Sequence, residues 1–188
     1  MKKIAIFLLM ISFIFTGCTV NLPFNNRLEY SSIKQLKQDV QHTNISVNIQ
    51  WIPANFVDRI DFQGASGFVG AGTNTRIPTG VALSQRIEEA VSVIADITND
   101  GMPLIIEVEN AQSEFEYSAG IFNITPAIDV ADVVFKATFH VKGKEWTNEF
   151  KSSLTDPTIG GTSQTGLLEQ AWDDIAIQVA KDIAFHLR

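Results

Sequence analysis

Hydrophobic and polar residues alternate cleanly across "NISVNIQWI". Ile45, Val47, Ile49 and Trp51 fall on one side, and Ser46, Asn48 and Gln50 on the other. Period-two alternation predicts a half-buried strand. Before it, "SIKQLKQDVQH" places Ile33, Leu36 and Val40 on one helical face, with Ser32 in position to cap a short helix. After it, Pro53 opens a stretch with no period, read as irregular from about 54 to 80. The pattern then changes to a helical one. Leu83, Ile87, Val91 and Ile94 form a stripe, with Gly101 as the expected stop.

"PLIIEVENAQSEFEYS" reads as a strand, with Leu104, Ile106 and Val108 set against Glu107 and Glu109. The clearest hairpin follows. Val133, Phe135, Ala137, Phe139 and Val141 alternate with polar partners up to a turn at Lys142-Gly143-Lys144. A polar stretch, "TDPTIGGTSQTG", leads into a last helix whose stripe is Leu168, Trp172, Ile175, Val179 and Ile183. Together these elements predict an α+β two-layer sandwich, with about four mostly antiparallel strands and two main amphipathic helices on one face. No internal repeat or second domain is visible.

The first residues change the picture from fold to location. Lys2 and Lys3 precede an apolar run, Ile4 to Phe15, that is shorter than the roughly 20 residues a spanning helix needs. This is the layout of an export signal over residues 1–17. Cys18 is the one cysteine of the chain, so no internal disulfide can form. "FTGC" resembles the bacterial lipobox, whose cysteine is lipidated and becomes the new N-terminus. Residues 18–32 then read as a lipidated tether, and 33–188 as a single periplasmic domain. Thr19 stands where an aspartate would retain a lipoprotein at the inner membrane, so the resemblance implies the outer membrane, periplasmic face. The bilayer, reached through acylated Cys18, is the first expected partner.

Charge narrows the other partners. The chain carries 14 basic and 21 acidic residues, a formal net charge of −7, and loses two lysines with the signal. An acidic surface argues against nucleic acid and against charge-driven binding to anionic headgroups.

Several motifs invite chemistry. "GASGFVGAGTNTR", residues 64–76, has the outline of a phosphate loop at Gly67 and Gly72, but Thr73 follows where a P-loop needs lysine, and no helix starts nearby. The glycine spacing also fails the dinucleotide fingerprint. Asp96, Thr98, Asp100, Gly101 and Glu107 occupy positions of a calcium loop, yet Pro103 and the strand-like "LIIEVE" replace the exiting helix. Ser66 lacks the spacing of a nucleophile elbow. His42, His140 and His186 have no metal spacing, and no thiol cluster is available. Neither a cofactor nor a metal is expected. Trp146 and Trp172 read as core. Phe68 and Val69, apolar residues between glycines, are the candidate partner contact.

The hairpin, polar loop and last helix carry a family likeness. Trp172, Ile175-Ala176, Val179-Ala180 and Ile183-Ala184 match the recurring Ile-Ala pairs in the C-terminal helix of small envelope lipoproteins. Over residues 104–188 the layout resembles YajG-like lipoproteins and ABC-type transport auxiliary lipoproteins. The expectation is a non-catalytic, membrane-anchored lipoprotein that binds an envelope protein partner in assembly, maintenance or transport. The alternative is a periplasmic hydrolase or sugar-binding lipoprotein using strand carboxylates. Convergence of Glu107, Glu109, Glu114, Glu116 or Asp129 in a closed pocket would favour that alternative.

Overall fold

The computed structural model describes residues 19–21, 24–58, 61–64, 74–77, 79–116, 128–157 and 161–188. Its elements, in chain order, are β1 (Thr19–Asn21), α1 (Tyr30–Asp39), β2 (Ser46–Ile52), a 3-10 turn (Ala54–Asp58), β3 (Asp61–Gly64), β4 (Asn74–Ile77), α2 (Thr79–Ile94), β5 (Asp96–Ile97), β6 (Met102–Glu116), β7 (Ile128–Val141), β8 (Lys144–Pro157) and α3 (Gln164–Leu187).

Five strands form the main sheet in the order β5-β2-β6-β7-β8. The α+β expectation holds in outline, with five strands in place of about four. β6, β7 and β8 form an antiparallel meander, while β2 lies parallel to both β5 and β6. The helices cover one face. α3 packs on β7 and β8 and against α2, and α1 rests on both helices.

The hairpin residues Val133, Phe135, Ala137, Phe139 and Val141 all point into this layer and are buried, as are Leu168, Trp172, Ile175, Val179 and Ile183 from α3. Each large side chain withdrawn from water in this way contributes roughly 1.5–3 kcal/mol. Lys142 and Gly143 make the β7–β8 turn with φ of 54° and 71°. Positive φ at both central residues is the turn whose twist matches a hairpin.

Four local expectations are corrected. α1 begins at Tyr30, with Glu29 at the N-cap and no side-chain cap. Ser32 does not cap it, because its hydroxyl donates to Asp173 on α3 at 3.0 Å. The stretch read as irregular contains β3, β4 and the first residues of α2. Strands of four residues are too short to show a period, and β1, which pairs with β4, ends more than fifty positions before β4 begins.

α2 stops at Ile94, ahead of Gly101. The chain then pairs briefly with β2 as β5 and crosses to β2's other side to begin β6. Gly101 sits at that crossing, where a Cβ would fall 2.6 Å from the carbonyl carbon of Val47. A close backbone approach, not a helix stop, is what requires glycine there. Finally, β6 does not alternate evenly. A bulge at Glu109 shifts the register between Val108 and Asn110, so Leu104 and Ile106 face inward before it and Ala111, Ser113 and Phe115 after it.

Candidate functional site

The segment before α1 is where the fold receives the chain from Cys18. From Phe24 onward it lies docked across α2 and α3. The Phe24 ring meets Trp172 at 5.0 Å between centroids, and Leu28 is buried. Three backbone amides of this segment donate to three carboxylates of the helices. Asn25 donates to Glu169 at 2.6 Å, Leu28 to Glu89 at 2.5 Å, and Glu29 to Asp173 at 2.9 Å. Arg27 also pairs with Glu89. An extended segment has no ladder of its own, so its N–H groups need such acceptors.

Beneath it lies a buried ion pair. Arg86, with no exposed surface, donates from Nε to Asp173 Oδ1 at 2.7 Å and from Nη1 to the Ala82 carbonyl at 3.3 Å. Its guanidinium lies over the Trp172 ring at 5.4 Å. Burial pushes the Asp173 carboxyl above the ordinary aspartate value, and the Glu29 amide, Arg86 and Ser32 pull it back. Next to the pair, Trp172 Nε1 donates to Ser113 Oγ at 2.8 Å, and Thr79 Oγ1 donates to the same oxygen at 3.2 Å. A polar seam thus joins α2, α3, β6 and the incoming segment.

β1, which precedes this docked segment in sequence, belongs to a small sheet of order β1-β4-β3. β1 runs parallel to β4 with Thr19 opposite Asn74, and β3 runs antiparallel with Gly64 opposite Asn74. Thr19, Gly64 and Asn74 therefore share one end of the small sheet. Cys18, Phe68 and Val69 themselves lie outside the described residues.

The strand carboxylates do not converge. Glu107, Glu109, Glu114 and Glu116 are spread along the solvent face of β6, whereas Asp129 is buried at the start of β7. Because the bulge reverses parity, both glutamate pairs share one face. Glu109 accepts from Lys136 Nζ at 2.5 Å and Thr138 Oγ1 at 2.9 Å, and these donors hold it below the usual carboxylate range.

His140 stands between Glu107 at 3.7 Å and Glu145 at 3.3 Å, each facing a different ring nitrogen. His42 lies 3.6 Å from Asp96. The His186 ring stacks on Trp146 at 3.9 Å. Trp172 is fully buried, as expected of core, while Trp146 is only partly buried and donates to Asp182 at 2.6 Å.

The calcium-loop residues are divided between β5, the turn after it and the outer face of β6. Among the described residues, no group of three or more His, Cys, Asp or Glu side chains is placed to hold a metal ion. Nor is any described helix long and apolar enough to cross a membrane.

Arg86, Asp173, Glu89 and Glu169 escaped the sequence reading. A signal for the first two was present. Arg86 adjoins the apolar stripe residue Ile87, and Asp173 adjoins Trp172, so opposite charges occupy the buried sides of two helices expected to share a face.

No protein-family profile matches the chain, and no curated protein matches it. Solved structures with a similar layout include a minor lipoprotein from Acinetobacter baumannii (TM-score 0.46, 9% identity, 75% of this chain and 93% of that one). The rare lipoprotein B from Shewanella oneidensis is also similar (TM-score 0.41, 10% identity, 75% and 95%). So is a putative lipoprotein from Caulobacter crescentus (TM-score 0.35, 9% identity, 84% and 92%). At these TM-scores they show no family, and the reading below rests on the residues of this chain.

Proposed function

We propose that the protein is a non-catalytic lipoprotein of the bacterial envelope, anchored through acylated Cys18 to the periplasmic face of the outer membrane. There it binds a protein partner in the assembly, maintenance or transport of an envelope component. The anchor raises the effective concentration at the membrane, and the domain supplies the contact. One observation carries this reading. The register of β1, β4 and β3 sets Thr19, Gly64 and Asn74 at the same end of the small sheet. The chain toward Cys18 and both ends of the 65–73 connection leave from that end. Phe68 and Val69 belong to that connection in sequence, and we assign them the partner contact.

Crosslinking on intact membranes, followed by co-purification, tests the proposal. A protein partner is expected with the wild type, and replacing Phe68 and Val69 with serine should reduce its recovery several-fold while the melting temperature stays nearly unchanged. Recovery of no protein at all would overturn the partner-binding reading. A large fall in melting temperature would move Phe68 and Val69 from the contact to the core.

A further inference from the structure

β8 is the outer strand of the main sheet, and along Lys144–Pro157 no strand among the described residues pairs with its free side. In an antiparallel ladder, alternate residues turn both backbone groups to the same neighbour. Two bonds reveal which residues of β8 face outward. Gln178 Nε2 donates to the Lys151 carbonyl at 3.1 Å, and the Glu149 amide donates to Asn148 Oδ1 at 2.9 Å. Glu149 and Lys151 therefore belong to the edge-facing set, flanked by Thr147 and Ser153. Side chains here occupy positions that another strand's backbone would fill.

α3 lays a row of polar side chains along the same edge. Asp174 accepts from Ser152 Oγ at 3.0 Å, and Asp182 from Trp146 Nε1 at 2.6 Å and Asn148 Nδ2 at 3.4 Å, with Gln178 between them. The basic groups of β8 are already engaged, Lys151 with Glu149 at 2.6 Å and Lys144 with the His186 carbonyl at 2.9 Å. The shelf is thus open toward a ladder and negative on its helix side. The two aspartates are eight positions apart on the helix, about 12 Å along the axis. Four residues of a strand cover about 13 Å and return to the same face. A second copy paired symmetrically at this edge would bring two such acidic rows side by side, which disfavours it.

We propose that the β8 edge receives an extended segment of the partner protein as a sixth strand, with basic side chains four residues apart facing Asp174 and Asp182. The ladder supplies affinity and the aspartates supply selectivity, as in strand addition generally. This inference rests on the partner-binding reading and names the chemistry of the partner.

The probe is a capped nonapeptide of alternating threonine and valine, with lysine at two valine positions four apart; its glutamate counterpart is the control. Titration followed by Trp146 fluorescence and calorimetry should show the lysine peptide binding at least tenfold more tightly at low salt. Ser153→Pro removes an edge-facing N–H without a ladder bond and should abolish binding. Asp174→Lys should reverse the preference between the peptides, a result that mere loss of structure would not give. Equal binding of both peptides, no binding of either, or lysine-peptide binding unchanged in Ser153→Pro would overturn the proposal. So would self-association of the wild type that Ser153→Pro abolishes, since that would assign the edge to a second copy. If Ser153→Pro retains partner recovery in the crosslinking experiment, the edge assignment falls while the partner-binding reading stands.

Discussion

Arg86 carries a full charge into a place without water, between two helices, and the fold depends on how that charge is met. One carboxylate oxygen of Asp173 takes its Nε, while the other holds the Glu29 amide and the Ser32 hydroxyl. Arg86 Nη2 has no hydrogen-bond partner among the described residues. Removing one partner of a buried pair leaves the other charge uncompensated, at a cost of about 3–5 kcal/mol, whereas replacing both with apolar residues is often close to neutral. Asp173→Ala should therefore lose about 3–5 kcal/mol in urea unfolding. The double variant Arg86→Met, Asp173→Leu should recover more than half of that loss. Equal losses in both would show that the pair is not the source. The alternation of apolar stripes made Trp172 legible as core, but a charged residue on a stripe gives no partner by itself. Only the packing of α2 on α3 brings Arg86 to Asp173.

Individual elements show where periodicity suffices and where it does not. The β7–β8 hairpin, the inward face of β2 and the stripe of α3 were legible because each runs for several periods. The end of α2, the bulge in β6 and the strands β3 and β4 were not, because each is decided by a neighbour distant in sequence. The β8–α3 connection adds a testable feature of the same kind. Asp156, at the end of β8, accepts from the Thr162 amide just before α3, and this bond lowers its carboxyl from the ordinary value of 3.8. A lowered folded pKa adds stability that is present above the unfolded value, about 3.9, and is lost as pH falls through the folded one. Melting temperatures of wild type and Asp156→Asn should therefore differ at neutral pH and converge as the pH falls through the lowered folded value. A difference that persists unchanged into acid would show that the Asp156–Thr162 bond is not responsible.

At the scale of the whole molecule the question is how a domain is held near a bilayer. Stable anchoring takes more than one acyl chain, and bacterial lipoproteins attach theirs at a single cysteine. Cys18→Ser should move the protein from the membrane pellet to the soluble fraction without changing its melting temperature; retention in the membrane would refute the anchor assignment. Five residues lie between Cys18 and Phe24, so the two are at most about 22 Å apart along an extended chain. If Cys18 carries the proposed anchor, docking of 24–29 on α2 and α3 leaves a shorter connection to it than a free tether from 18 to 32 would. The sequence by itself determined what local chemistry and periodicity encode: the lone cysteine, the strand alternations and the helix stripes. Tertiary structure alone decided the fifth strand and the docking of 24–29. It also decided the Arg86–Asp173 pair, the shared end of the small sheet and the edge of β8 that is unpaired among the described residues. Each of these depends on which distant residues become neighbours, and no local period records that.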